Sequence, residues 1–252
     1  MAITFKFVNL FELYSEAMSV IDNFKRMRGV NKYNLFGYWG ASGIGKTMLL
    51  NAISLYLQDA EIDNCIIYDC MESENYDTMI KFLNQDSKQP GIAIIDQLEE
   101  LEHSKSTTFI SACDDFINKN IAWRAIFCAS RLPDNISQLL RPEQRLITQL
   151  GAFNTHDTME MIDQIFPNLS KKDKNFLIEY AEGYPQMISI FCCLLKKQNR
   201  ELKSLEIRNR KEFLRNSLIE LTKSLNPDLN TSEEIERFLK RLCYLSLFEG
   251  FL

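Results

Sequence analysis

Gly40-Ala41-Ser42-Gly43-Ile44-Gly45-Lys46-Thr47 fits the pattern G-x-x-x-x-G-K-[ST]. Its glycines let successive backbone N–H groups curl around a phosphate with no Cβ in the way. A helix that starts here points its partial positive charge at the same anion. Lys46 then reaches the β- and γ-phosphates, and the Thr47 hydroxyl is offered to Mg²⁺. With Gly near 7% of average composition, roughly 1% of chains this long would carry the pattern by chance. The flanks agree with the reading. Tyr33 to Trp39 reads as a short aromatic strand, and Lys46 to Leu57 as a helix with Met48, Leu49, Ile53 and Leu57 on one side. The whole loop, from Gly40 through Met48, is therefore expected to hold a nucleotide.

Working outward, Gly91 to Leu101 (GIAIIDQLEEL) places an unbroken apolar run before Asp96. Such a run suits a strand buried on both faces, as in a parallel sheet. A carboxylate at its end is what a Mg²⁺–nucleotide site needs beside the loop. Glu99 and Glu100 follow, read as the acidic start of a helix, and either is placed to polarise an attacking water. AIFCASR forms a third such run, ending in Ser130-Arg131. There the arginine is a candidate to sense the γ-phosphate.

Cys65 to Tyr68, Ala125 to Ala129 and Leu146 to Leu150 read as further strands, and Tyr76 to Leu83 and Thr107 to Asn118 as helices. Leu10, Leu13, Ala17, Ile21 and Phe24 give an N-terminal helix. Strands alternating with helices predict a three-layer α/β fold with a parallel sheet. After Phe153 only helical periodicity remains: Thr155 to Ile165, Lys172 to Ala181, Gln186 to Lys197, Lys211 to Leu225 and Ser232 to Leu247. Thr155 is expected to cap the first of these, and Thr231 with Glu234 to form a capping box. The expected domains are 1–153 (α/β, nucleotide-binding), 154–230 (helical) and 231–252 (a final helix).

The chain has 252 residues, 46% apolar and 25% charged, with a net charge of −5. That is ample apolar material for a core and excludes disorder as the main state. A mildly acidic chain is a poor bulk coat for nucleic acid. Lys196 to Arg215, with eight basic and three acidic residues, reads as a solvated helix face, with nucleic-acid contact as the minority reading. The nine-residue run Met187 to Leu195 falls far short of the roughly 20 that span a bilayer. No secretory leader is read at the N-terminus. Seven cysteines, an odd number without C-x-x-C spacing, argue against zinc and for reduced thiols in the cytoplasm.

Taken together, GASGIGKT, IIDQLEEL, AIFCASR and EGYPQMI resemble the STAND class of signalling NTPases, relatives of AAA+ ATPases. The resemblance covers roughly residues 5–250. It implies a P-loop core of the ASCE/AAA+ kind, a helical lid, and the start of a winged helix near the C-terminus. It also implies that Arg131 is a sensor and that Pro185, in Gly183-Tyr184-Pro185, packs near adenine. Pro185 fits equally a first-turn helix proline. Phe7-Val8-Asn9-Leu10 lacks the family's usual adenine-contacting arginine, and Gln97 stands where an acid often follows the Mg²⁺ ligand. The implied activity is a slow Mg²⁺-dependent ATPase switch that cycles between ATP and ADP and controls homo-oligomer assembly or a protein effector. In a prokaryote, antiphage defence is the implied setting.

A second reading is an origin-recognition-like AAA+ ATPase acting on DNA. A third, a small-molecule P-loop kinase, is disfavoured by the all-helical extension. No guanine-reading N-K-x-D stretch ends a strand, which favours ATP over GTP. In AAA+ relatives, the position before the fifth strand carries an arginine that reaches a neighbouring subunit. Arg141 and Arg145 are the candidates, against the simpler reading of a basic loop.

Overall fold

The computed structural model describes residues 11–26, 33–71, 73–85, 91–118, 124–167 and 169–197, together with residue 219. The readings at 7–10 and in 198–252, including the later helices and the winged-helix start, lie outside them. The chain divides into two compact units between Ala152 and Phe153.

The first unit is a five-stranded parallel sheet between helices. Its strands are β1 (Leu35–Trp39), β2 (Cys65–Asp69), β3 (Gly91–Asp96), β4 (Arg124–Ser130) and β5 (Arg145–Gln149), in spatial order β2-β3-β4-β1-β5. The helices are α1 (Phe11–Arg26), α2 (Lys46–Asp59), α3 (Tyr76–Leu83), α4 (His103–Asn118) and α5 (Pro133–Ser137). Every residue of β3 and β4 is buried, which is why these strands show no alternation. β2 and β5 lie at the edges and are only partly covered.

Strand periodicity splits the core. Leu35, Ala93, Ile95, Ile126 and Cys128 join Met79, Phe109, Phe116 and Ile136 in one cluster with α3, α4 and α5. In register on the opposite face, Phe36 stacks on Phe127 with centroids 5.1 Å apart. α2 packs on β3 and β4, and α1 packs on α2, where Tyr56 donates to Asp22 at 2.7 Å. Because β4 separates β1 from β3, the loop after β1 and the acid after β3 sit two strands apart at the same sheet edge. This is the three-layer P-loop NTPase fold.

The second unit contains α6 (Thr155–Ile165), α7 (Lys171–Ala181) and α8 (Pro185–Lys197), around a core that includes Met161, Ile162, Phe176, Leu177 and Ile188.

Several local expectations are corrected. Asn154, not Thr155, caps α6, its side chain accepting the Asp157 N–H at 2.9 Å; Thr155 is the first helical residue. α4 begins at His103 rather than Thr107, since its polar first turn shows no apolar period. Glu99 and Glu100 lie in a separate 3-10 turn, Leu98–Glu100. At five residues, α5 is too short to leave a periodic signal.

Candidate functional site

The loop 40–47 joins β1 directly to α2. Gly40 has φ 154°, and a Cβ there would lie 2.7 Å from the Leu150 carbonyl oxygen. Only glycine fits, because Leu150 donates its own N–H to Trp39 O at 2.8 Å and brings that backbone against the loop. Gly45 stands in the left-handed region at the start of α2. Ile44 is buried and anchors the loop, while Ala41, Ser42 and Thr47 are exposed. Lys46 Nζ donates back to the carbonyls of Gly40 (2.7 Å) and Ala41 (2.9 Å). The ammonium thus crosses the mouth of the loop. Burial pulls its pKa down, opposed by the negative charges of Glu99 and Asp96.

Asp96 ends β3 at 8% exposure. Its carboxylate accepts from the Gln97 N–H at 2.8 Å, and the Thr47 side chain lies near enough to favour its charged form. Burial raises its pKa against these bonds, and the nearby charges of Asp69 and Glu99 add to the rise. Thr47 and Asp96 thus neighbour each other at the end of the loop, two oxygen-bearing side chains of the kind a hard cation takes.

Glu99 is engaged twice by Arg131. Its Oε1 lies 3.0 Å from Arg131 Nε, and its Oε2 accepts the Arg131 backbone N–H at 3.0 Å. Glu100 Oε1 is 3.6 Å from the same guanidinium. Glu100 is the more open of the two acids, with a side-chain exposure of 39% against 14% for Glu99. Ser130 is fully buried and accepts from Asn135 Nδ2 and Leu132 N, which fixes the turn carrying Arg131.

The loop, Asp96, Glu99 and Arg131 are thus brought to one edge of the sheet. Such a set can bind a triphosphate, hold its metal and direct a water. Pro185 belongs to the second unit, where it opens α8. Gly183 has φ 77°, and a Cβ there would lie 2.1 Å from Phe153 O, so the turn before Pro185 has a packing reason of its own.

The basic segment before β5 resolves differently for its two arginines. Arg145 donates to the carbonyls of Ser137, Leu139 and Leu140, which engages its guanidinium with the end of α5 and the turn after it. Arg141 is exposed. The sequence reading missed Asp69, which ends β2 opposite Asp96 and binds Gln97. Its only sequence signal is a polar residue closing a strand. His156, Asp157 and Glu160 cluster at the start of α6, where the helix's positive end already favours carboxylates.

Residues 15–157, more than half of the chain, match the family described as the bacterial DnaA ATPase domain. The chain belongs to that family. The DnaA-type core extends to known folds. Domain III of the replication initiation protein DnaA from Thermotoga maritima superposes with a TM-score of 0.61 at 16% identity, covering 84% of this chain and 94% of that one. A Thermotoga maritima RuvB variant gives 0.59 at 17% identity, over 86% and 70%. The Aeropyrum pernix Orc1 protein, solved in complex with DNA, gives 0.58 at 11% identity, over 94% and 78%. No curated protein matches the sequence. These likenesses support the AAA+ side of the expected kinship and not the STAND subclass or antiphage defence. They favour the second reading, the origin-recognition-like AAA+ ATPase. Among the described residues no helix is long and apolar enough to cross a membrane.

Proposed function

We propose that this chain is a slow, Mg²⁺-dependent ATPase of the DnaA type, whose nucleotide state governs self-assembly and engagement of DNA. The observation that carries the reading is the DnaA-family match, which spans the loop, Asp96, Glu99 and Arg131. In this reading the loop N–H groups and Lys46 hold the phosphates. Thr47 and Asp96 hold Mg²⁺, which draws charge from the phosphate oxygens. Glu99 orients the water, with Glu100 as its alternate. Arg131 meets the γ-phosphate. Arg141 is the residue offered to the next subunit's nucleotide.

Arg131 then has two anions to choose between. A γ-phosphate competes for the guanidinium that Glu99 now holds, and frees the carboxylate for a water. ADP offers no such competitor. Replacement of the acid after Asp96 by Gln97 fits slow turnover, because the base must come from farther along the turn.

DNA engagement would be local, given the net charge of −5. The stretch Lys196 to Arg215 is its natural place. The test is phosphate release and sedimentation of the whole chain with ATP or ADP, with and without duplex DNA. ATP-dependent assembly that duplex DNA promotes supports the reading. An ATPase indifferent to DNA at low salt would leave a switch that acts on protein partners.

A further inference from the structure

We propose that Asp69 is a positioning residue for the acidic turn: it holds Gln97 in a left-handed backbone conformation that aims both Asp96 and Glu99. The inference rests on the ATPase reading for its consequence, but its geometry stands apart from it. Gln97 has φ 55° and ψ 47°. A residue with a Cβ disfavours this region, and glutamine is too long to relieve it by a local side-chain bond of the Asn or Asp kind. A bond from outside the residue can hold it there.

Asp69 does so. It lies on the neighbouring strand, opposite Asp96 in the parallel register. Its Oδ1 accepts the Met71 N–H at 2.9 Å, which fixes the carboxylate before it meets Gln97. Both of its oxygens then accept from Gln97 Nε2 at 2.9 Å. The consequences run along the backbone of Gln97. Its N–H binds Asp96 Oδ1 at 2.8 Å. Its carbonyl accepts the Glu100 N–H at 2.9 Å and starts the 3-10 turn. That turn presents Glu99 to Arg131. With the clamp removed, Gln97 relaxes to negative φ and the turn swings with it. Asp69 thus acts through Gln97, on the direction of two acids.

The test is a cycle of Asp69→Ala, Gln97→Gly and the double variant in the whole chain. Asp69→Ala lowers kcat about tenfold, the scale of one released backbone strain. It leaves affinity for metal-free ADP, set by the loop, within about threefold. Gln97→Gly needs no clamp, since glycine takes positive φ freely. The double variant therefore returns to within about threefold of Gln97→Gly alone, the coupling expected of residues in contact. A loss of packing at Asp69 would not be rescued by removing a second side chain. Hydrogen exchange of the Glu100 amide reads the same geometry without turnover: faster in Asp69→Ala, restored in the double variant. Wild-type kcat and exchange in Asp69→Ala would overturn the proposal, as would a double variant no better than Asp69→Ala. Wild-type protein that binds ATP without hydrolysing it would remove the ATPase reading, while the exchange data would still decide the role of Asp69.

Discussion

Glu99 holds Arg131 by side chain and backbone together, with Oε1 3.0 Å from Nε and Oε2 3.0 Å from the backbone nitrogen. The arginine side chain is 54% exposed, so the pair contributes little to stability, about 1 kcal/mol or less. Its interest is chemical: the acid assigned to the water and the cation assigned to the γ-phosphate hold each other.

Arg131→Ala should therefore fold normally and bind ADP as the wild type does, yet hydrolyse ATP roughly a hundredfold more slowly, the usual loss of one charge-stabilising donor. Steady-state phosphate release together with ADP calorimetry checks this. Wild-type turnover would remove Arg131 from the site.

Glu99→Gln should keep ATP binding and lose turnover by 10²–10⁴-fold, the typical contribution of a general base. Glu100→Gln should lose far less. Single-turnover hydrolysis of the two variants compares them directly, and the reverse order would make Glu100 the base.

How much of this was legible in the residues depends on what surrounds each one. β3 and β4 are buried on both faces, so GIAIID and AIFCAS stand out as apolar runs with a polar end, and Asp96 and Arg131 are found at once. β2 is an edge strand, and the Asp69 at its end looks like any strand terminus until the register sets it against Asp96. α5 is too short for a period, which hid the helix end and following turn whose carbonyls occupy Arg145. Asn154 and Thr155 are both good caps, and only the bond to Asp157 N separates them. The P-loop and an acid ending a buried strand mark a nucleotide site of P-loop type, and short motifs of this kind did not separate a STAND branch from the DnaA family that the match over residues 15–157 shows.

Arg145→Ala and Arg141→Ala should part in opposite ways. The first leaves the carbonyls of Ser137, Leu139 and Leu140 without their charged donor and should lower stability by about 1–3 kcal/mol. The second, at an exposed site, should leave Tm unchanged and reduce turnover only at concentrations where the protein assembles. Thermal denaturation and concentration-dependent ATPase assays distinguish them.

Alkaline pH should weaken the α/β unit from within. Burial pushes the Cys70 thiol from 9.0 up to about 12 and the Tyr68 hydroxyl from 10.0 up to about 12. Groups raised in the folded state contribute stability that is complete below their unfolded values. It is lost as pH climbs from about 9 towards 12, because the unfolded chain releases those protons first. Urea denaturation at pH 8 and pH 10 should show the decline. The same burial keeps Cys70, Cys113 and Cys128 poorly reactive, so a thiol reagent at pH 8 should modify the half-buried Cys65 before these three.

The central claim is that the loop around Lys46 holds the phosphates of ATP, and calorimetric titration of Mg²⁺–ATP into wild type and Lys46→Ala tests it most directly. Lys46 is the one side-chain cation of the loop 40–47, and a charge-assisted phosphate contact is worth a few kcal/mol, where each ~1.4 kcal/mol is tenfold in affinity. The account predicts one ATP per chain and a loss of at least about a hundredfold in affinity for the variant. Equal affinity in the two proteins, or no binding by the wild type, would contradict it.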